Sequence, residues 1–344
     1  MAGFDWRRTA IALLAGFAGA SIAHILELPA AALLGSTFAV TLASMARLQP
    51  ALPAPLRDIG LCVIAVTLGS GVTPDIWSEL AHWPLSIAML ALTMLMVMLI
   101  CGFLLKRLFR ADLPTAMMAT APGALSYALA LANDRDADLR FVTVLQSLRL
   151  FLITMLLPPV IGYAENAGEG GGRAPLEHLT YPAAAVLLVL TFGLGQLFTR
   201  LRVPAPIIMA GLLVSGFAHG AGLVSGRFAD PLTFFGFAVT GTMIGARFAG
   251  ITLAEVKRLG LAGVVSTSVA VAIAMAGAWL VSFTLGLPFG QVWVSFAPGG
   301  VEGMSSMALA LGYDPVYVAT HHVFRILFLI AILPVLLGLL AAKR

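Results

Sequence analysis

The chain is a succession of long apolar runs separated by short polar breaks. In the first half the runs cover residues 9–26, 29–46, 58–73, 84–105, 114–132 and 141–162. The second half has six more, at 182–199, 204–219, 232–249, 259–285, 290–312 and 316–341. A membrane-crossing helix needs about 20 apolar residues, so the runs predict an all-helical chain that passes through a bilayer many times. The one long polar stretch, Ala164 to Thr180, is rich in Gly and acid and reads as a flexible linker.

The segments on either side of that linker are copies of each other. Gly60 matches Gly236, Gly69 matches Gly245, Pro122-Gly123 matches Pro298-Gly299, Arg149 matches Arg325 and Pro158 matches Pro334, every pair 176 residues apart. Pro29 matches Pro204 once a single residue is inserted. The expected organisation is a first membrane repeat over 1–163, a linker over 164–180 and a second repeat over 181–344.

The fifth run of each repeat carries an Ala-Pro-Gly near its centre. Proline removes a backbone donor and glycine loosens the helix, so each of these runs can break into two half-helices. The positive-inside rule decides between crossing and doubling back. With six crossings per repeat, eleven loop Lys and Arg fall inside and seven outside; with the fifth run as a re-entrant hairpin, the split is sixteen to two. The second arrangement is preferred. It leaves five spans per repeat, an odd number, so the second repeat enters the membrane upside-down. The predicted fold is a polytopic all-α membrane protein with an inverted-topology repeat, about ten transmembrane helices and two re-entrant broken hairpins, both termini lying in the cytoplasm. Inverted repeats with helices broken at matching positions point to a secondary transporter whose site lies where the breaks meet.

Composition narrows the classes further. Charged residues make up 10% of the 344 positions and hydrophobic ones 60%, against roughly 25% charged in soluble domains. The net charge of +4 is scattered in small groups between apolar runs, a topology signal and not a nucleic-acid-binding patch. Residues 6–26 imitate a signal peptide but read as a retained first helix, because the chain is apolar to its end. Cys62 and Cys101 lie inside apolar runs and read as packing residues.

Few residues in the runs carry chemistry. Arg149 and Arg325 are equivalent by repeat and lie deep in their last runs, where a charge costs about 2.5–3.5 kcal/mol and needs a partner. They bind an anionic substrate group, contact Glu302 as a gating pair, cap carbonyls of the broken helices or snorkel to the nearer interface. Glu302 is an acid inside an apolar run, with Ser126 at its repeat position. It reads as a coupling carboxylate or as a cap favoured by the helix dipole. Pro122, Gly123, Pro298, Gly299 and Gly300 expose half-helix N-termini suited to an anion, with Ser126, Tyr127, Ser305 and Ser306 as neutral hydrogen-bonding neighbours. His321 and His322 precede Arg325 by one turn, and Gln146 stands in the place of His322 in the first repeat; the two histidines are candidates for moving protons. Gly241 and Gly245 form a GxxxG pattern suited to close helix packing. No phosphate loop, nucleophile elbow or HExxH occurs, so neither enzyme chemistry nor a metal or other cofactor is expected, and no nucleic acid is an expected partner.

The paired segments TAPGALSYALALANDRDADLRFVTVLQSLRLFLITMLLPP and APGGVEGMSSMALALGYDPVYVATHHVFRILFLIAILP resemble the duplicated membrane proteins called the AbrB family in Gram-negative bacteria. The resemblance extends over nearly the whole chain and is most specific at the APGG hairpin followed by a helix with a central Arg. It implies a multi-pass inner-membrane protein. Labels attached to that family, a regulator of gene expression and an ammonia monooxygenase, imply a DNA-binding module or a metal cluster, and the residues offer neither. The expected function is inner-membrane secondary transport of a small anionic solute, coupled to a proton or cation. The alternatives are a membrane sensor that affects gene expression indirectly and, behind it, a monooxygenase-like enzyme. One chain contains both halves of an inverted pair, and a homodimer is compatible with that.

The topology is directly testable. With Cys62 and Cys101 replaced by Ala, Asp136→Cys and Asp314→Cys are labelled separately in intact cells with a membrane-impermeant thiol reagent. Labelling at 314 alone is the expected result. Labelling at both positions would place the fifth runs across the membrane and remove the inversion.

Overall fold

In the computed structural model the described residues are 5–72, 83–122, 137–164 and 178–341. They form thirteen helices. In chain order these are α1 (Trp6–Ile25), α2 (Ala31–Met45), α3 (Ala54–Gly69), α4 (Trp83–Phe109), α5 (Leu113–Thr120), α6 (Leu139–Ala164), α7 (Tyr181–Arg200), α8 (Pro206–Gly220), α9 (Asp230–Ala246), α10 (Leu253–Leu285), α11 (Phe289–Phe296), α12 (Val301–Ala310) and α13 (Pro315–Ala341). Among them α1, α4, α6, α7, α10 and α13 are long and apolar enough to cross a membrane. These are three repeat-matched pairs. α2 and α8, each of 15 residues, and α3 and α9, of 16 and 17, reach only about 22–26 Å at 1.5 Å per residue.

Backbone contacts gather the chain into two compact units. The first comprises Met1–Ala81, Thr154–Gly250 and Glu302–Ala319; the second comprises His82–Ile153, Ile251–Val301 and Thr320–Arg344. The division does not follow the linker, because each unit draws helices from both repeats. Sequence repetition and packing therefore divide the chain differently.

In the first unit α2 packs on α9 and its counterpart α8 packs on α3, while α3 and α9 cross each other. A Cβ added at Gly60 would lie 2.4 Å from Cγ1 of Val239, and one at Gly236 would lie 3.1 Å from Cγ1 of Val63. Val63 and Val239 are themselves 176 apart, so the contact is reciprocal. Position 60 faces 239 while 63 faces 236, so the two equivalent helices run antiparallel. That requires a pseudo-two-fold axis perpendicular to the helices, the signature of inversion and not of a parallel repeat. The contacts of α3 with α8 repeat the theme. Gly69 meets Ser215 and the backbone of Gly216, and Gly245 meets Val40 and the backbone of Thr41. The GxxxG of α9 thus lies on α2, its Gly241 against the Ser36 hydroxyl and the Leu33 carbonyl. Even the irregular turns repeat: Glu27 and Ala30 before α2, and Arg202 and Ala205 before α8, all have positive φ near +50°, a conformation that non-glycine residues adopt at a cost.

The second unit shows the same inversion. Along α4 and α10, Cys101 Sγ lies 3.5 Å from the Ser266 carbonyl, and a Cβ at Gly277 would lie 2.5 Å from Thr93 Oγ1. Position 101 faces 266 and 93 faces 277, again antiparallel. α5 packs on α4 and α11 on α10. α10 begins with a capping box, in which Thr252 and Glu255 satisfy each other's backbone N–H groups, and Arg140 at the start of α6 donates to that Glu255 at 2.6 Å.

These close approaches make different demands on equivalent glycines. Gly60→Ala forces its methyl to 2.4 Å from the branched body of Val239, whereas Gly236→Ala meets Ile64 and Val63 at the looser 3.0–3.1 Å. Thermal unfolding in detergent should show a loss of about 1–3 kcal/mol for Gly60→Ala and a smaller loss for Gly236→Ala. Equal losses would contradict the packing described.

Candidate functional site

The two broken runs fold as half-helices over matched positions, α5 over 113–120 and α11 over 289–296. Each has eight residues and rises about 12 Å, well short of a hydrocarbon core of about 30 Å. α5 starts on Asp112, whose Oδ1 accepts from the Thr115 amide at 2.8 Å. Both half-helices stop for one reason. Ala121 and Ala297 precede prolines and adopt extended ψ of 113° and 135°, as the proline ring requires of the residue before it.

A helix that ends inside a protein buried in lipid leaves carbonyls needing donors, and the following long helix of each repeat supplies them. From α6, Gln146 Nε2 donates to the Met118 carbonyl at 2.8 Å, and the Arg149 guanidinium donates to the carbonyls of Ala119, Thr120 and Ala121 at 3.2–3.3 Å. From α13, His322 Nε2 lies 3.0 Å from the Val294 carbonyl, and the Arg325 guanidinium donates to Ala297 at 2.6 Å and to Gly299. Met118 and Val294, Gln146 and His322, and Ala121 and Ala297 are all 176 apart. The same brace is built twice. Arg149 and Arg325 are 5% and 0% exposed, so these bonds are made away from solvent. Their charge also opposes the negative end of the half-helix dipole, worth roughly half an elementary charge.

The two copies differ beside the brace. In the second, His321 Nε2 lies 2.7 Å from Ser86 Oγ, and the imidazole is stacked by Phe296 and met edge-on by Trp83. Leu145 and Thr120 take the places of His321 and Phe296 in the first copy. There the smaller residues border a cavity of about 10 Å³ between Arg149, Cys101 and Thr267, room for about one water. Trp83, Ser86 and Phe296 did not stand out in the sequence, because their types are ordinary for apolar helices and only the helix pairing brings them to His321.

Beyond the second break, Pro298 and Gly299 are buried, Gly300 is half-buried and α12 begins at Val301. Glu302 sits half-buried in its first turn. Ser305 and Ser306 one turn later are fully buried, and their hydroxyls have no hydrogen-bond partner among the described residues. Of the first break, Pro122 is buried, whereas Gly123, Ser126 and Tyr127 lie outside the described residues. Among the described residues no three His, Cys, Asp or Glu side chains form a metal-binding group.

The brace explains what each Arg can and cannot lose. A lysine ammonium is a point donor that cannot span several carbonyls, and each buried carbonyl left bare costs about 1–3 kcal/mol. Arg149→Lys and Arg325→Lys should therefore each lower thermal stability in detergent by a few kcal/mol. Unchanged stability in both would free the guanidinia for a different role.

A protein-family profile described as "Transition state regulatory protein AbrB" matches residues 32–341. An uncharacterized protein, YhjN, of Bacillus subtilis (strain 168) is 26% identical over 298 residues, covering 80% of this chain and 76% of its own length. A protein of Escherichia coli (strain K12), named as a candidate regulator, AbrB, is 24% identical over 308 residues and 87% of each chain. The profile takes in both repeats, both half-helices and both braces, and the chain belongs to the AbrB family.

Proposed function

We propose that the protein is a secondary transporter of the inner membrane that carries a small anionic solute by alternating access around its two broken helices, with both termini cytoplasmic. The observation that carries this reading is the pair of half-helices, each stopped at an Ala-Pro and held by a buried Arg, on an inverted duplication. Backbone broken within apolar surroundings is tolerated where it lines a cavity or lies within protein, and such breaks are where transporters of this architecture bind substrate and coupling ion. Because the guanidinia are engaged with carbonyls, recognition of the anion falls to the N-terminal amides of α12 and to the hydroxyls of Ser305 and Ser306, which lack partners among the described residues. Arg149 and Arg325 satisfy the carbonyls where the half-helices end. No chemical transformation of the solute is part of this reading.

Glu302 supplies the coupling. A carboxylate in the first turn of α12 occupies the same positive helix end that an anionic solute would use. Two negative charges there repel, so protonation of Glu302 and binding of the solute favour each other, and solute and proton move together. Gln146, the counterpart of His322, makes the equivalent carbonyl contact, so His322→Gln keeps the brace.

The test is uptake of candidate organic anions into proteoliposomes, with and without an inward proton gradient. Wild type should accumulate the solute only with the gradient, and Glu302→Gln should bind it while losing the gradient dependence. Gradient dependence retained in Glu302→Gln would assign Glu302 to helix capping alone. The regulator name borne by the Escherichia coli relative supports a second reading, a membrane sensor; saturable binding with no flux in the same vesicles would favour it.

A further inference from the structure

The first unit has an opening of its own among the described residues. It is a cavity of about 600 Å³, within the range of small-molecule sites. Its wall is made where helices end: the last turn of α1 with His24, the first turn of α2 with Ala31 and Ala32, the first two turns of α9 with Asp230, Phe234 and Phe237, and Ala310 at the end of α12. Ends of membrane helices mark the boundary between lipid and water. The lining divides accordingly. Phe234, Phe237 and the alanines form a slender apolar floor, and the Asp230 carboxylate stands at the rim. Arg227 forms a loose ion pair with that carboxylate at 3.8 Å, and the Asp230 side chain is 83% exposed, so it has room for a second cationic partner. The opposite repeat treats the corresponding place differently. Ala32 corresponds to Ile207, which is 4% exposed and packs against Gly195 of α7, and Phe234 corresponds to Asp58, which Gln196 and Arg57 hold by hydrogen bonds. The wall of the cavity thus has an alanine where the other repeat has a packed isoleucine.

We propose that this cavity holds an alkyl chain bearing a primary ammonium, with the chain over Phe234, Phe237 and the alanines and the ammonium on Asp230. This stands independently of the transport reading. The exposed Asp230 carboxylate attracts a cationic head at the rim and disfavours an anionic one. A cation beside aromatic rings gains further from their faces. Two sources have this chemistry, a phosphatidylethanolamine lipid and a soluble alkylamine. The lipid adds a phosphate within reach of the neighbouring Arg227.

The experiment uses the full chain in nanodiscs of equal palmitoyl-oleoyl phosphatidylethanolamine and phosphatidylglycerol, with retained lipid counted by native mass spectrometry, and a parallel thermal-shift titration with octylamine against octanol. Wild type should keep one phosphatidylethanolamine in preference to phosphatidylglycerol by about threefold, the worth of one exposed ion pair. Asp230→Asn should abolish the preference, and Ala32→Ile, the filling already present in the other repeat, should remove the lipid. Stabilisation by octylamine and not octanol, with no lipid retained, would assign the site to a soluble amine. Equal retention of both lipids without an octylamine shift, or a preference unaffected by Asp230→Asn, would overturn the proposal; should Ala32→Ile fail to fold, Asp230→Asn still decides.

Discussion

Two helices that stop partway through a bilayer-embedded chain create a problem that the rest of the second unit is organised to solve. Each leaves carbonyls facing a medium with no water to satisfy them. A guanidinium, with several donors in a rigid fork, meets two or three carbonyls at once and brings a charge of the right sign to the negative helix end. The Arg is tolerable in apolar surroundings because the carbonyls receive it. The carbonyls are tolerable because of the Arg. Neither half of this arrangement stands alone, which accounts for an Arg one helix after the break in both repeats.

Duplication then explains the packing. Equivalent helices cross antiparallel on glycines, α3 on α9 at Gly60 and Gly236 and α4 on α10 at Gly277. Without a strong hydrophobic drive between helices in lipid, such close approach lets dispersion and weak polar contacts hold the crossing. Each compact unit is therefore assembled from both repeats. A repeat in isolation would expose the glycine faces that its twin covers.

Departures from symmetry locate the chemistry. The braces themselves are nearly alike, but His321, Ser86, Trp83 and Phe296 gather beside the second one only, and Glu302 has a serine at its repeat position. In the first unit, a cavity has Ala32 in its wall where the other repeat has Ile207.

Much of this was legible in the residues. Run lengths gave the helices, and the 176-residue register with the Ala-Pro breaks marked the half-helices, because a proline's effect on its neighbour is local and needs no tertiary context. Basic-residue bias indicated the inversion that the antiparallel helix pairs display. For Arg149 and Arg325 the sequence left several roles open, substrate contact, a gating pair with Glu302, carbonyl cap or snorkelling, since burial cost demands a partner without naming it. Only the fold chose the carbonyls, by setting α6 beside α5 and α13 beside α11. The division into units taken from both repeats was likewise hidden, because sequence periodicity records which face of a helix is buried but not which helix covers it. The partners of His321 and the cavity by Asp230 depend on residues brought together from distant parts of the chain, which the tertiary structure alone decides.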